Sequence, residues 1–193
     1  MLTSFRDLEE IVSSVTKTTL VSASNTPIIL IDGRSGSGKS TLGKELQNRL
    51  FVEGESLPRL LSMDSLYPGW DGLEEGVQYL QRMVLTPLQK SSTATWQEYD
   101  WEAGTRKQWR EFSGGTPLII EGCGSICPLS AALAETVIWL DVPELVRYQR
   151  WIERDGDRFM DYWSIWASQE EEYISRVKPE QFVTHRYDYE AKF

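Results

Sequence analysis

Eight residues constrain this chain more than any others: Gly33-Arg34-Ser35-Gly36-Ser37-Gly38-Lys39-Ser40, set between the apolar run PIILID and the run KSTLGKELQNRLF. The isoleucine-rich run predicts a buried strand and the second run has helical periodicity, so the glycines join a strand to a helix. The spacing satisfies G-x-x-x-x-G-K-[ST], the Walker A phosphate-binding pattern. Glycines let the backbone turn its N–H groups inward around an anion, and the following helix adds its N-terminal partial positive charge. Gly33, Ser35, Gly36, Ser37, Gly38, Lys39, Ser40 and Thr41 are therefore the candidate residues for binding nucleotide phosphates. In that arrangement Lys39 reaches the β- and γ-phosphates as a compact cation, and the Ser40 hydroxyl is a hard oxygen ligand for Mg²⁺. The loop alone does not select the reaction, because GTPases, ATPases and kinases share it.

A chain of 193 residues suits one domain, here expected to span 1–193, and 40% hydrophobic with 25% charged residues lies in the globular range. The net charge of −9 opposes long-range attraction to nucleic acid or anionic lipid, which favours a small diffusing substrate as partner. Oligomeric state is not readable from these features. Cys123, Cys127 and His185 are too few to complete a four-ligand zinc site, and the cysteines are expected to be reduced. The opening MLTSFRDLEEIVSSVTK carries acidic side chains and no continuous apolar core, unlike a signal or transit peptide. No segment approaches the roughly 20 apolar residues needed to cross a bilayer, so the expected location is the cytoplasm.

Phe5, Leu8, Ile11, Val12 and Val15 predict an amphipathic helix over 4–17, followed by a polar break at 22–26. Strands are expected at 59–63, 117–121 and 137–142, and a helix at 72–90 that Pro87 shortens or kinks. From Pro143 to about Val177 the pattern is helical, with a break at Asp155-Gly156-Asp157; the tail from Pro179 fits no element. Strands alternating with helices indicate an α/β domain.

In open α/β sheets ligands bind beyond the carboxyl ends of the strands, which directs attention to Asp32, Asp64, Glu121 and Asp141. Phosphoryl transfer to a hydroxyl needs a carboxylate to orient that hydroxyl and take its proton, and a second acidic group to hold Mg²⁺ directly or through water. Asp64 is assigned the first role and Glu121 the second; the alternative for either is a turn or helix cap. Asp32 is expected to brace the loop through backbone hydrogen bonds, and Asp141 to cap the helix after Pro143.

Arg147, Arg150, Arg154 and Arg158 are spaced three, four and four residues apart, which places them on one helix face. Guanidinium groups match the charge that phosphoryl transfer spreads over oxygens, and a mobile lid hinged at Gly156 is one way to supply them; Arg150 and Arg154 are the favoured pair. The alternative is a solvated helix whose arginines pair with Glu144, Glu153, Asp155 and Asp157. Tyr162, Trp163, Trp166 and Tyr173 also recur at helical spacing, which suits core packing better than ligand stacking. In Trp96-Gln97-Glu98-Tyr99-Asp100-Trp101-Glu102, acidic and aromatic residues alternate outside any clear helix: either a polar acceptor is held there, through Tyr99 and Asp100, or the segment is a surface loop.

The stretch Asp32 to Thr41, followed by Asp64-Ser65-Leu66-Tyr67, resembles the uridine kinase and phosphoribulokinase group of P-loop kinases. The resemblance implies a three-layer α/β/α sandwich around a mostly parallel five-stranded sheet, with a helical lid. It matches Asp64 to the catalytic aspartate of the group's D-x-F-Y motif, with Leu66 in place of phenylalanine, and sets Tyr67 beside the acceptor. Glu121, ending Leu-Ile-Ile-Glu-Gly, matches the metal-serving acid, and Arg154-Asp155-Gly156 is similar to the lid of nucleoside and nucleotide kinases. ATP and Mg²⁺ are the implied cofactors, and the implied activity is transfer of the γ-phosphoryl to a hydroxyl of a nucleoside-, sugar- or vitamin-like metabolite. The nucleoside-recognition segment of uridine kinases has no clear counterpart. A regulatory or scaffold protein that binds ATP without phosphorylating a metabolite is the alternative.

Overall fold

The computed structural model describes residues 2–189, and the side chains of all of these but Asp155, Asp157, Arg158 and Met160. The chain starts with β1 (Thr3–Phe5) and α1 (Leu8–Leu20), which the Asp7 carboxylate caps by accepting the Glu9 N–H at 2.9 Å. The expected helix at 4–17 thus begins later and runs longer, and Phe5 belongs to a strand. Next come β2 (Ile28–Asp32) and α2 (Lys39–Gly54), then β3 (Arg59–Ser62) and a 3₁₀ turn, Met63–Ser65. The helix expected at 72–90 has three parts: α3 (Leu73–Leu80), a π turn (Gln81–Leu85) and α4 (Thr86–Gln89). Pro87 lacks the N–H that an uninterrupted helix would use, and the widened turn lies just before it.

Residues 96–102 are neither helix nor free loop. They fall in β4 (Ala94–Asp100) and its turn, and β4 pairs antiparallel with β5 (Thr105–Phe112) in a separate two-stranded sheet. The remaining elements are β6 (Leu118–Glu121), α5 (Pro128–Leu133), β7 (Thr136–Asp141), α6 (Glu144–Asp155), a 3₁₀ turn at Gly156–Phe159, α7 (Met160–Val177) and β8 (His185–Asp188). The expected interruption at 155–157 is where α6 gives way to that turn.

The main sheet has six strands in the order β1-β8-β7-β2-β6-β3, all parallel, where five were expected. The extra strand comes from the two ends of the described chain, where β8 pairs with β7 and β1 pairs with β8. These segments of three and four residues are defined by ladder pairing and carry no apolar run that would announce them. Every residue of β2 is buried and alternates between two cores: Ile28 and Leu30 face α3, α5 and α7, while Ile29 and Ile31 face α1 and α2. Each such side chain contributes on the order of 1.5–3 kcal/mol by burial, so the central strand is the rigid element from which the phosphate loop departs.

Asp141 does not cap α6. Pro143 is the N-cap residue, while the exposed Asp141 carboxylate pairs with Arg186 on β8. Among the described residues no helix is long and apolar enough to cross a membrane.

Candidate active site

β2 ends at Asp32 beside β6 and β7, and the ladder registers place Ile31 and Ser62 on either side of Glu121. Asp32, Glu121 and, two residues beyond Ser62, Asp64 thus gather at the carboxyl edge of three adjacent strands. The glycine loop leaves this edge and enters α2 through Gly38, which is left-handed (φ 99°) and supplies no side-chain cap. The first turn of α2 therefore offers its backbone N–H groups to the cavity in front of it. That cavity measures about 740 Å³, and Ser35, Gly36, Gly38, Lys39, Ser40 and Thr41 form one wall of it. Gly33 and Ser37 lie buried behind that wall.

Lys39 is 8% exposed and its Nζ donates to the Arg34 carbonyl at 3.0 Å. Burial alone would lower the pKa of its ammonium, but Cys123 and the carboxylates Glu170, Glu121 and Asp32 outweigh burial and raise it, which keeps the charge in place. The Ser40 hydroxyl donates to Glu121 Oε2 at 3.1 Å, so a neutral and an anionic oxygen meet at one point. Burial, and secondarily the charge of Asp64, pushes the Glu121 carboxyl up, against hydrogen bonds from Ser62 and Ser40 and the pull of Lys39. A divalent cation would relieve that strain. The donor set fits Mg²⁺, which takes few protein oxygens and keeps water and phosphate for its other positions. Among the described residues no three His, Cys, Asp or Glu side chains cluster as a complete protein cage.

Asp64 sits in the 3₁₀ turn after β3, exposed to the same cavity, and Trp101 Nε1 donates to its backbone carbonyl at 2.8 Å. Arg106 from β5 donates to the Leu66 carbonyl at 2.7 Å, so the hairpin clamps the Asp64 segment at two points. Tyr67 is fully buried: its ring borders the cavity, but its hydroxyl donates to the Cys123 carbonyl at 2.5 Å. Tyr99 and Asp100 do not line the cavity. The Asp100 carboxylate accepts the Glu102 and Ala103 N–H groups and pairs with Lys107 at 2.8 Å, which fastens the hairpin turn. The hairpin residue that does reach the cavity is Trp101.

The arginine stripe divides. Arg147 is 5% exposed and braces the loop, donating to the Val142 carbonyl at 3.0 Å and the Ser35 carbonyl at 3.1 Å. Arg150 and Arg154 line the cavity; Arg150 Nη1 lies 3.3 Å from the Gly36 carbonyl, and the Arg154 guanidinium lies 5.4 Å over the Trp151 ring. The side chains of Arg158, Asp155 and Asp157 lie outside the described residues. Of the aromatic set on α7, Trp166 lines the cavity, while Tyr173 is buried and donates to Asp32 Oδ2 at 2.7 Å.

The family model described as an AAA domain matches residues 29–174, a span that runs from the central strand through the loop, the acidic edge and most of α7. The chain belongs to the AAA domain family. No curated protein sequence matches it. Solved structures do: a possible uridine kinase from Bacillus stearothermophilus superposes with a TM-score of 0.68 at 23% identity, covering 94% of this chain and 99% of that one. A candidate fructose transport system kinase from Silicibacter sp. TM1040 gives 0.67 at 17% identity, covering 94% and 99%. The shikimate kinase of Acinetobacter baumannii, in complex with shikimate, gives 0.50 at 15% identity, covering 91% and 88%. At these identities the likeness is one of fold, and the fold is that of P-loop kinases.

Within this AAA domain two buried carboxylates escaped sequence reasoning in whole or in part. Glu170, 2% exposed, accepts the Ser35 N–H at 2.6 Å and the Cys123 thiol at 3.2 Å. In sequence it belongs to a Glu170-Glu171-Glu172 run that reads as solvated, and only Tyr173 on the same helix face hinted at burial. Asp32 braces the loop more extensively than expected, accepting N–H groups from Gly33 at 2.6 Å, Gly124 at 3.3 Å and Ile126 at 3.0 Å besides the Tyr173 hydroxyl. Burial pushes its carboxyl up to about 6, against the lowering effect of Ile126, Tyr173, Gly33 and Lys39. Because the folded value lies above the unfolded 3.8, the folded state holds an extra proton between those values, and Asp32's contribution to stability falls as pH rises from 3.8 to about 6. Over that window the expected loss is about 3 kcal/mol. Urea midpoints from pH 4 to 7 will show it as a slope present in the native sequence and missing from Asp32→Asn.

Proposed function

We propose that this protein is an ATP-dependent phosphotransferase that moves the γ-phosphoryl group to a hydroxyl of a small metabolite. The observation that carries the reading is the meeting of Lys39, Ser40, Glu121 and Asp64 on one cavity that also has room beyond the phosphate loop. The exposed Asp64 carboxylate on that cavity supports the reading, because phosphoryl transfer to a hydroxyl needs a carboxylate that orients it.

In this reading the N–H groups of the loop and the Lys39 ammonium hold the phosphates, and Ser40 and Glu121 would hold Mg²⁺, which supplies charge neutralisation for the transferred group. Asp64 accepts the proton of the acceptor hydroxyl as its oxygen bonds to the γ-phosphorus and the bond from that phosphorus to the bridging oxygen breaks. Arg150 and Arg154, which line the cavity, would meet the charge that develops on the transferred oxygens.

The test is ATP-Mg²⁺ consumption measured against a panel of hydroxyl-bearing metabolites, with Lys39→Ala as control. At least one acceptor is expected to stimulate turnover at least tenfold, and Lys39→Ala to abolish the stimulation. Tight ATP binding with no acceptor-dependent turnover across nucleosides, sugars and amino alcohols would replace this reading with that of a nucleotide sensor.

A further inference from the structure

We propose that the acceptor is an alcohol whose far end is a poorly hydrated organic cation, an alkylated ammonium or an N-alkylated aromatic ring, seated among Trp70, Trp101, Trp151, Phe159 and Trp166. The inference deepens the phosphotransferase reading and rests on it for the position of the reacting hydroxyl.

Away from the phosphate loop these five rings line the cavity together with Tyr67 and several charged side chains. Trp70 is their hub, with ring centroids 5.0 Å from Trp101, 5.7 Å from Trp151, 5.1 Å from Phe159 and 6.3 Å from Trp166. The planes meet at 60°, 52°, 49° and 86°, so the rings present faces and edges at steep angles. Inserting a flat guest between two parallel rings needs centroids roughly 7 Å apart, the sum of two stacking distances. The near-parallel pair at Trp70, formed with Tyr162 at 13°, is closed at 4.7 Å. Angled rings surround a compact group better than they sandwich a neutral flat one.

The polar inventory points the same way. Among the described residues no Asn, Gln or His side chain lines the cavity. Trp101 Nε1 is spent on the Asp64 carbonyl, and Trp151 Nε1 is buried without a hydrogen-bond partner. A nucleobase would find no side-chain amide to match its edge, at a cost in binding. Ring faces do attract a cation whose charge is spread over carbon; the Arg154 guanidinium lies 5.4 Å over the Trp151 ring, so the faces of the other rings are the ones a guest would meet. The carboxylates of Asp64 and Glu153 also line the cavity. Its cationic side chains other than Arg154 are Lys39, Lys44 and Arg150, which belong to the loop, the start of α2 and the arginine that reaches the loop carbonyls.

Binding is read by titration calorimetry, with no need for turnover, using two pairs of cation and neutral isostere: choline with 3,3-dimethylbutan-1-ol, and N-(2-hydroxyethyl)pyridinium with 2-phenylethanol. At least one cation is expected to bind at least tenfold more tightly than its neutral partner, and the pair that shows the preference tells ammonium from ring. Trp101→Leu, an exposed position at the hairpin turn, should bring the ratio towards one while ATP affinity stays constant. Equal affinities within both pairs, or binding of sugars or nucleosides without binding of either cation, overturn the proposal. If a cation binds with the expected preference but is never phosphorylated, the aromatic site stands and the phosphotransferase reading falls.

Discussion

Replacing Asp64 by Asn will lower turnover about 10³-fold while leaving ATP affinity within about twofold of the native value, in keeping with the loss of a positioned proton acceptor. The substitution keeps the size of the side chain and removes only its basicity. Asp64 lies after β3 on the cavity lining, and the fixed point of its segment is a backbone carbonyl held by Trp101, which the substitution leaves in place. The loop itself is supported from elsewhere, by Glu170 at Ser35 and by Asp32 at Gly33. A single-turnover measurement with ATP-Mg²⁺ and the best acceptor, alongside calorimetric ATP binding, separates the two quantities. A rate within tenfold of native would remove Asp64 from the chemistry.

The second large effect is expected at Gly36. Its φ of 78° is left-handed, and a Cβ there would meet the carbonyl carbon and Cα of Arg147 at 2.9 Å, with the carbonyl oxygen closer still. Those atoms are α6 backbone and cannot swing aside as a side chain would. Gly36→Ala must therefore push the loop off α6, and ATP affinity should fall at least 100-fold, with a stability loss of about 3 kcal/mol. Gly115→Ala is the control: its φ of 86° is equally left-handed, but nothing lies within 4 Å of the added carbon. That variant should lose about 1 kcal/mol and keep its ATP affinity. Similar losses of affinity and stability in the two variants would mean that contact with α6 does not shape the loop.

The phosphate loop was legible because every fixed position of its pattern has a chemical reason, and β2 and β6 because fully buried parallel strands must be written as apolar runs; β7 and the edge strand β3 carry apolar runs that are buried in part. The hairpin was not. Trp96 points into the core while Gln97, Glu98, Tyr99 and Asp100 are only half-buried, and the ladder shifts register between Gln97 and Tyr99, so the usual alternation is blurred. With the hairpin hidden, Asp100 looked like a substrate contact when its partners are Lys107 and the turn. Arg147, Arg150 and Arg154 do share α6, whereas position 158 falls in the 3₁₀ turn Gly156–Phe159, and spacing cannot say that Arg147 faces the loop's carbonyls while Arg150 and Arg154 face the cavity. Among three consecutive glutamates, only tertiary packing could single out Glu170.

Helix α7 touches both halves of the cavity at once. Gln169 donates to the Trp70 carbonyl at 2.6 Å on the aromatic side, and one residue later Glu170 holds the Ser35 N–H on the phosphate side. Two ligands that meet one stiff rod at neighbouring positions are not thermodynamically independent. If filling the aromatic side shifts α7 and so changes the hold of Glu170 on the loop, nucleotide affinity changes by some factor, and nucleotide must then change the affinity for the acceptor by that same factor. The order in which the two bind then alters the route and leaves the total free energy unchanged.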